Sequence, residues 1–193
     1  RKAETGGRYV WTSEVENVLV DSALVRSSTK PPTRSFRTKQ AGFYFLEVQG
    51  KDHRGNQILS NAYFYVSGSS YVPWERTNDD KIELVTNKTD FSPGETASLI
   101  VKSPYEEALA LISIEREGII HHFTRKLQGS APQIDIPILK NYLPNVFISV
   151  ILLQGRVEAP AGKTNESDVG RPSFKIGYTS LSVSPKEKQL TVA

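Results

Sequence analysis

The chain has 193 residues, 38% of them hydrophobic, with eight Phe, eight Tyr, 13 Gly and 11 Pro, which allows one large or two ordinary domains with packed cores. A net charge of only +3, with Lys and Arg scattered among carboxylates, is too weak an electrostatic footprint to indicate nucleic acid. No apolar run is long enough for a membrane-spanning helix, and the lack of cysteine excludes disulfides, zinc–thiolate sites and a thiol nucleophile from these residues.

The chain opens on "RKAETGGR" and contains no methionine, so it is expected to be part of a longer protein. The first clear period is two. "AGFYFLEVQ" (Ala41–Gln49) predicts a strand with Tyr44, Leu46 and Val48 on one face and Phe43 and Phe45 on the other. The turn formers of "KDHRGN" follow, and "QILSNAYFYV" (Gln57–Val66) returns, completing a β-hairpin. "SGSSYVPWERTNDD" (Ser67–Asp80) interrupts the pattern and marks a domain boundary. Trp74 within it is expected either to pack as a wedge between domains or to form a binding platform.

The second half restarts with "IELV", a turn cluster at Pro93 and Gly94, and "TASLIVKS", where Ala97, Leu99 and Val101 alternate against Ser98 and Ile100. "ALALISIERE" (Ala108–Glu117), "GIIHHFTRKL" (Gly118–Leu127), "QIDIPIL" (Gln133–Leu139), "NVFISVILL" (Asn145–Leu153), "IGYTSLSVS" (Ile176–Ser184) and "KQLTVA" continue at short intervals. Turn signals between them and the lack of any helical period predict an all-β chain of two antiparallel sandwiches. Residues 1–68 form the first, 69–80 a linker, and 81–193 the second.

Enzyme constellations are missing. His121 and His122 are adjacent in a strand, so their side chains point to opposite faces and cannot share a metal; one of the two is expected to be buried and hydrogen-bonded. His53 falls in a solvated turn. Glu115 and Glu117 lie on the same side of a strand, yet Arg116 and Gly118 mark that stretch as a hairpin end rather than an acid/base pair. No phosphate-binding loop, dinucleotide fingerprint, H-E-x-x-H or G-x-S-x-G occurs. The reading is a non-enzymatic module with no catalytic residue, cofactor or metal.

One long stretch lies outside the strand pattern. From Gly155 to Ser173 the only aliphatic side chains larger than alanine are Val157 and Val169, and Pro160, Gly162, Gly170 and Pro172 oppose a regular ladder. A connection of that length costs a sandwich only about 2 kcal/mol more than a tight turn, because loop-closure entropy grows slowly. By composition alone it is an ordinary surface loop or a functional one.

The order of several motifs bears on that choice. "DFSPGETASLIVKSPYEEALALISIEREGIIHH" resembles the opening of the bait-region domain of bacterial alpha-2-macroglobulins, with its "Y-x-P-G-E/D-x-A" turn, a strand ending "SP" and an "ALxxxERxG" strand. Phe91 stands where that family usually has Tyr. "LPNVFISVILLQGR" and "GRPSFKIGYTSLSVSPKEKQLTV" resemble the second half of the same domain, and "GFYFLEVQGKDHRGNQILSNAYFYV" resembles the end of the preceding macroglobulin domain, so the resemblance covers the chain from about Gly42 onward. The region before Lys30 is less diagnostic, and 1–68 is short for a complete macroglobulin domain.

The resemblance implies the bait-bearing segment of a broad-spectrum protease inhibitor, cleaved by its targets so that the parent protein traps them. Bait 155–175 then offers Arg156, Lys163, Arg171 and Lys175 to trypsin-like proteases, Glu158 and Glu166 to glutamate-preferring ones, Ala161 to elastase-like ones and Phe174 to chymotrypsin-like ones. Pro172 should protect the Arg171 bond, which leaves Arg156 and Lys163 as the expected main sites. It also implies as partners endopeptidases of several specificities and other macroglobulin domains of the parent, and a periplasmic or cell-envelope location in a membrane-associated lipoprotein. Neither nucleic-acid binding nor membrane insertion by this segment is expected. The competing reading is a structural immunoglobulin-like surface or adhesion module in which 155–175 is only a loop; an accessory domain of a carbohydrate-active protein ranks below it.

Overall fold

A computed structural model describes residues 2–5, 8–11, 14–70, 72, 74, 79–157 and 170–184, with the side chains of 2–5 and 8–11 excepted. The described part is all-β. Strands β1 (Lys2–Thr5) and β2 (Arg8–Trp11) pair antiparallel, as do β3 (Gly42–Lys51) and β4 (Gln57–Val66).

The β3–β4 hairpin forms where alternation predicted it, and its turn is fixed by one carboxylate. Asp52 accepts hydrogen bonds from the backbone N–H groups of Arg54 and Asn56, each at 2.8 Å, and from the Asn56 side chain at 2.9 Å. These bonds favour the charged form and hold the Asp52 carboxyl below its ordinary pKa. Gly55 supplies the left-handed residue at φ 83°. Above the turn, rings pair across the strands, with Tyr44 stacked on Phe64 at 5.4 Å and Phe43 beside Tyr65 at 5.2 Å. Both faces of the hairpin remain largely exposed, so the first of the two expected sandwiches is represented among the described residues by these two-stranded sheets.

The second unit is a sandwich. One sheet has the order β10–β7–β5, built from β10 (Gln133–Pro137), β7 (Thr96–Val101) and β5 (Leu84–Thr86). The other has the order β6–β12–β11–β8–β9, from β6 (Asp90–Phe91), β12 (Ser173–Val183), β11 (Asn145–Gln154), β8 (Glu107–Glu115) and β9 (Ile119–Gln128). Alternation decides the inner faces: Ala97, Leu99 and Val101 of β7 meet Ile112 and Ile114 of β8 and Val146, Ile148, Val150 and Leu152 of β11 in one core. These side chains are almost wholly withdrawn from water, and at about 25 cal/mol per Å² their burial is what holds the two sheets together.

The strands pair antiparallel as expected, except that the short edge strand β6 runs parallel to β12 through Ser182↔Asp90 and Val183↔Phe91. Two expectations are corrected. Neither His121 nor His122 is buried: β9 is the edge strand, so the inward position of His121 lies beyond the cover of the opposite sheet and keeps only ring contact with Phe123, while His122 faces outward. Glu115 and Glu117 do not share a strand face, since β8 ends at Glu115 and Glu117 sits in the hairpin turn at φ 58°. The closing "KQLTVA" lies outside the described residues.

The linker is docked on the sandwich. Gly68 forms an antiparallel bridge to Ala131, its N–H donating to the Ala131 carbonyl at 3.0 Å. Further along, the Val72 N–H donates to the Ser130 hydroxyl, and the Trp74 indole N–H donates to the Ser130 carbonyl. Trp74 is thus a half-buried wedge. Beside it the Lys102 ammonium donates to the Tyr65 hydroxyl at 3.0 Å, lies 4.4 Å from the Tyr65 ring centre and 5.4 Å from that of Trp74, and pairs with Glu83. One cation therefore joins the hairpin, the linker and the sandwich.

Candidate functional site

Strands β11 and β12 are neighbours in register from Asn145↔Ser182 to Gln154↔Ser173. The connection between them is the stretch that sequence composition set apart. Strand pairing stops at Gln154 because Gly155, Arg156 and the residues beyond present no alternating apolar set to either core.

The neck of the connection is closed by one more hydrogen bond past the ladder, from the Val157 N–H to the Gly170 carbonyl at 3.1 Å. Gly170 is buried in a turn, while Arg156, Val157, Arg171 and Pro172 are exposed. The expected sites Glu158, Ala161, Lys163 and Glu166 lie outside the described residues. The described candidates fall into two groups: Arg156 and Arg171 flank the neck hydrogen bond, whereas Phe174 and Lys175 stand within β12, opposite Leu153 and Leu152.

Lys175 is constrained further. Its ammonium donates to the Asp79 carbonyl and lies 3.8 Å from the Asp80 carboxylate, and its side chain is only 17% exposed. The backbone there is bound on both edges. On one side is β11; on the other the linker end runs parallel, through a Lys81↔Ile176 bridge in which Ile176 N–H donates to Asp80 at 2.7 Å and Ile82 N–H donates to Ile176 at 2.9 Å. Gly177 permits that approach, since a Cβ there would lie 2.8 Å from the Ile82 carbonyl oxygen. Asp79, Asp80 and Gly177 were not singled out by sequence reasoning, because the contact joins residues almost a hundred positions apart and no local pattern announces it.

The side chains at the neck are Arg156 and Val157 on one limb and Arg171, Phe174 and Lys175 on the other. None of them belongs to a set of nucleophile, base and charge stabiliser. Among the described residues no three His, Cys, Asp or Glu side chains gather to hold a metal, and no helix is long and apolar enough to cross a membrane. What the arrangement offers is two strand ends held side by side, the Val157 and Gly170 backbones joined by a hydrogen bond.

Comparison with known proteins bears on the same region. The profile of the alpha-2-macroglobulin bait region domain matches residues 82–193. An alpha-2-macroglobulin homolog from Nostoc sp. is 27% identical over 181 residues, covering 92% of this chain and 9% of that protein. An alpha-2-macroglobulin from Rickettsia conorii is 25% identical over 138 residues, covering 70% of this chain and 7% of that protein. The native conformation of E. coli alpha-2-macroglobulin aligns with a TM-score of 0.42 at 20% identity, over 79% of this chain and 9% of that one. The chain therefore spans under a tenth of the length of these relatives.

Proposed function

Since this chain belongs to the alpha-2-macroglobulin bait region domain family, we propose that it is the protease-sensing segment of a broad-spectrum protease inhibitor. Its connection between β11 and β12 is cut by target proteases, and the cut triggers trapping by the whole protein. The observation that carries this reading is the neck itself. A rigid sandwich presents the ends of β11 and β12 next to each other, and the sequence joining them has no large side chain to bury but carries Glu158, Ala161, Lys163 and Glu166. A protease must bind roughly eight residues in extended form, so a stretch with few stabilising contacts is the preferred substrate. The segment contributes no catalytic group; its partners are endopeptidases and the other domains of the parent protein, in the bacterial periplasm or cell envelope.

Limited proteolysis tests the reading. Cuts are scored from residue 42 onward, because 14–41 is exposed coil open to any protease. Enzymes of unrelated specificity are expected to nick the chain first between 155 and 175. First cuts in the Lys51–Asn56 turn or the Ser67–Asp80 linker refute it and favour a structural module.

A further inference from the structure

We propose that the outer edge of β9 is a docking site for an extended acidic peptide segment of a partner, which joins the five-stranded sheet as a further strand. The site lies on the sandwich itself and stands whether or not the β11–β12 connection is cut.

An unpaired strand edge is a template for another chain, and folded proteins blunt it by shortness, proline or charge. The other edges of the sandwich are short: β6 has two residues, β5 has three, and β10 has five, following Pro132 and ending at Pro137. β9 runs for ten residues without proline or glycine and pairs on one side only, with β8. Among the described residues no backbone group of 119–128 bonds elsewhere. The register shows which groups are free. The Gly129 N–H donates to Glu106 at 2.8 Å, continuing the rungs Leu127↔Ala108 and Arg125↔Ala110. Successive residues of an antiparallel strand turn their N–H and C=O to opposite sides, so His122, Thr124 and Lys126 aim theirs away from the sheet.

The linker limits how far an added strand can run. Ser69 packs over Gly129, where a Cβ would lie 2.6 Å from the Ser69 carbonyl oxygen. Beside it a cavity of about 370 Å³ opens along the end of β9, its lining including Ser67, Ser69, Arg125, Lys126 and Gln133.

Charge selects the occupant. β9 has no carboxylate and carries Arg125 and Lys126 side by side, both exposed. Among the described residues neither forms an ion pair; Arg125 only senses the charge of Asp135, which is bonded to Ser98 and Gln133. The carboxylates of β8, Glu107 and Glu115, stand at the ends of the ladder, opposite Gln128 and Ile119. As strand neighbours, Arg125 and Lys126 point to opposite faces, so they match two successive acidic residues. Arg125 shares the core side with half-buried Phe123, beside which an apolar side chain two places further along the partner fits. Opposite charges across a ladder favour pairing and like charges oppose it.

The test uses the full chain, labelled with ¹⁵N, and an acetylated, amidated peptide of two glutamates followed by alternating threonine and valine. The peptide is expected to bind with Kd below about 1 mM and to slow hydrogen exchange at the His122, Thr124 and Lys126 amides at least about tenfold. The Phe123 and Arg125 amides, already bonded to β8, should change little. Exchanging the glutamates for lysines should weaken binding at least about tenfold, and a chain carrying Arg125→Glu and Lys126→Glu should reverse that preference. Thr124→Pro, tolerated where an edge N–H faces outward, should abolish binding. So should N-methylation of the peptide amides that face β9, which leaves the protein untouched. Equal binding of the lysine peptide, indifference to N-methylation, or no binding up to about 1 mM overturns the proposal. Protection of the same three amides that grows with chain concentration in the absence of peptide also overturns it, assigning the edge to a second copy.

Discussion

Two glycines of the sandwich share a backbone handicap and differ in crowding, so substituting each measures how firmly the linker is docked. Gly94 has φ +92°, and a Cβ added there would meet nothing within 4 Å, whereas at Gly129, φ +76°, a Cβ would lie 2.6 Å from the Ser69 carbonyl oxygen. An alanine in the left-handed region costs about 1–2 kcal/mol at either position. At Gly129 the Ser69 backbone must also withdraw. That movement strains the Gly68–Ala131 bond at 3.0 Å and the bonds from Val72 and Trp74 to Ser130, each with a net value of about 0.5–1.5 kcal/mol. Gly129→Ala should therefore lose about 4 kcal/mol and Gly94→Ala about 1 kcal/mol. Urea denaturation followed by far-UV circular dichroism reads the difference; at a slope of about 2 kcal/mol per molar the two midpoints separate by about 1.5 M. Equal losses, within about 0.5 kcal/mol, would show that the linker does not bear on residue 129 and would refute the docking argument.

Other measurements probe the core, the latch and a carboxylate. Ile148→Ala, at a wholly buried centre of β11, should cost about 3–4 kcal/mol in the same denaturation assay, while Phe147→Ala next to it, 47% exposed, should cost under about 1 kcal/mol. A double-mutant cycle between Lys102→Ala and Trp74→Ala should give a coupling of about 0.5–1 kcal/mol, and a value of zero would remove the cation–ring contact from the junction. Asp135 accepts hydrogen bonds from Ser98 at 2.8 Å and Gln133 at 2.7 Å, which hold its carboxyl below the ordinary value. A depressed folded pKa adds stability above the unfolded value of about 3.9 that is lost as pH falls through the folded one. Ser98→Ala should raise the Asp135 titration midpoint seen by carboxyl NMR and so narrow, from its low-pH end, the window over which that stability is lost.

How much of this was legible in the chain depends on the range of the interaction. Alternation in β3, β4 and β7 is a local signal, because successive side chains face opposite sides; it predicted these strands and, in β7, separated Ala97, Leu99 and Val101, which are buried, from Ser98 and Ile100. The same logic set apart the 155–173 stretch, which has only Val157 and Val169 to place on an apolar face. In β11 the continuous run "VFISVILL" could not say which face is inside; only the neighbouring strands assigned Ile148 to the core and left Phe147 in water. Adjacency of His121 and His122 correctly separated their side chains but could not reveal that β9 is an edge, where neither is covered.

The candidate site divides along the same line. That a connection rich in charged and small residues should join two strands follows from sequence alone, since whether a segment can bury apolar surface depends on its own side chains. Where strand pairing ends on either limb does not. The Val157–Gly170 bond and the seating of Lys175 on Asp79 and Asp80 arise between segments distant along the chain. Backbone donors and acceptors are the same in every residue, so sequence composition carries no record of which pair will meet; only the packed fold brings them within hydrogen-bonding distance.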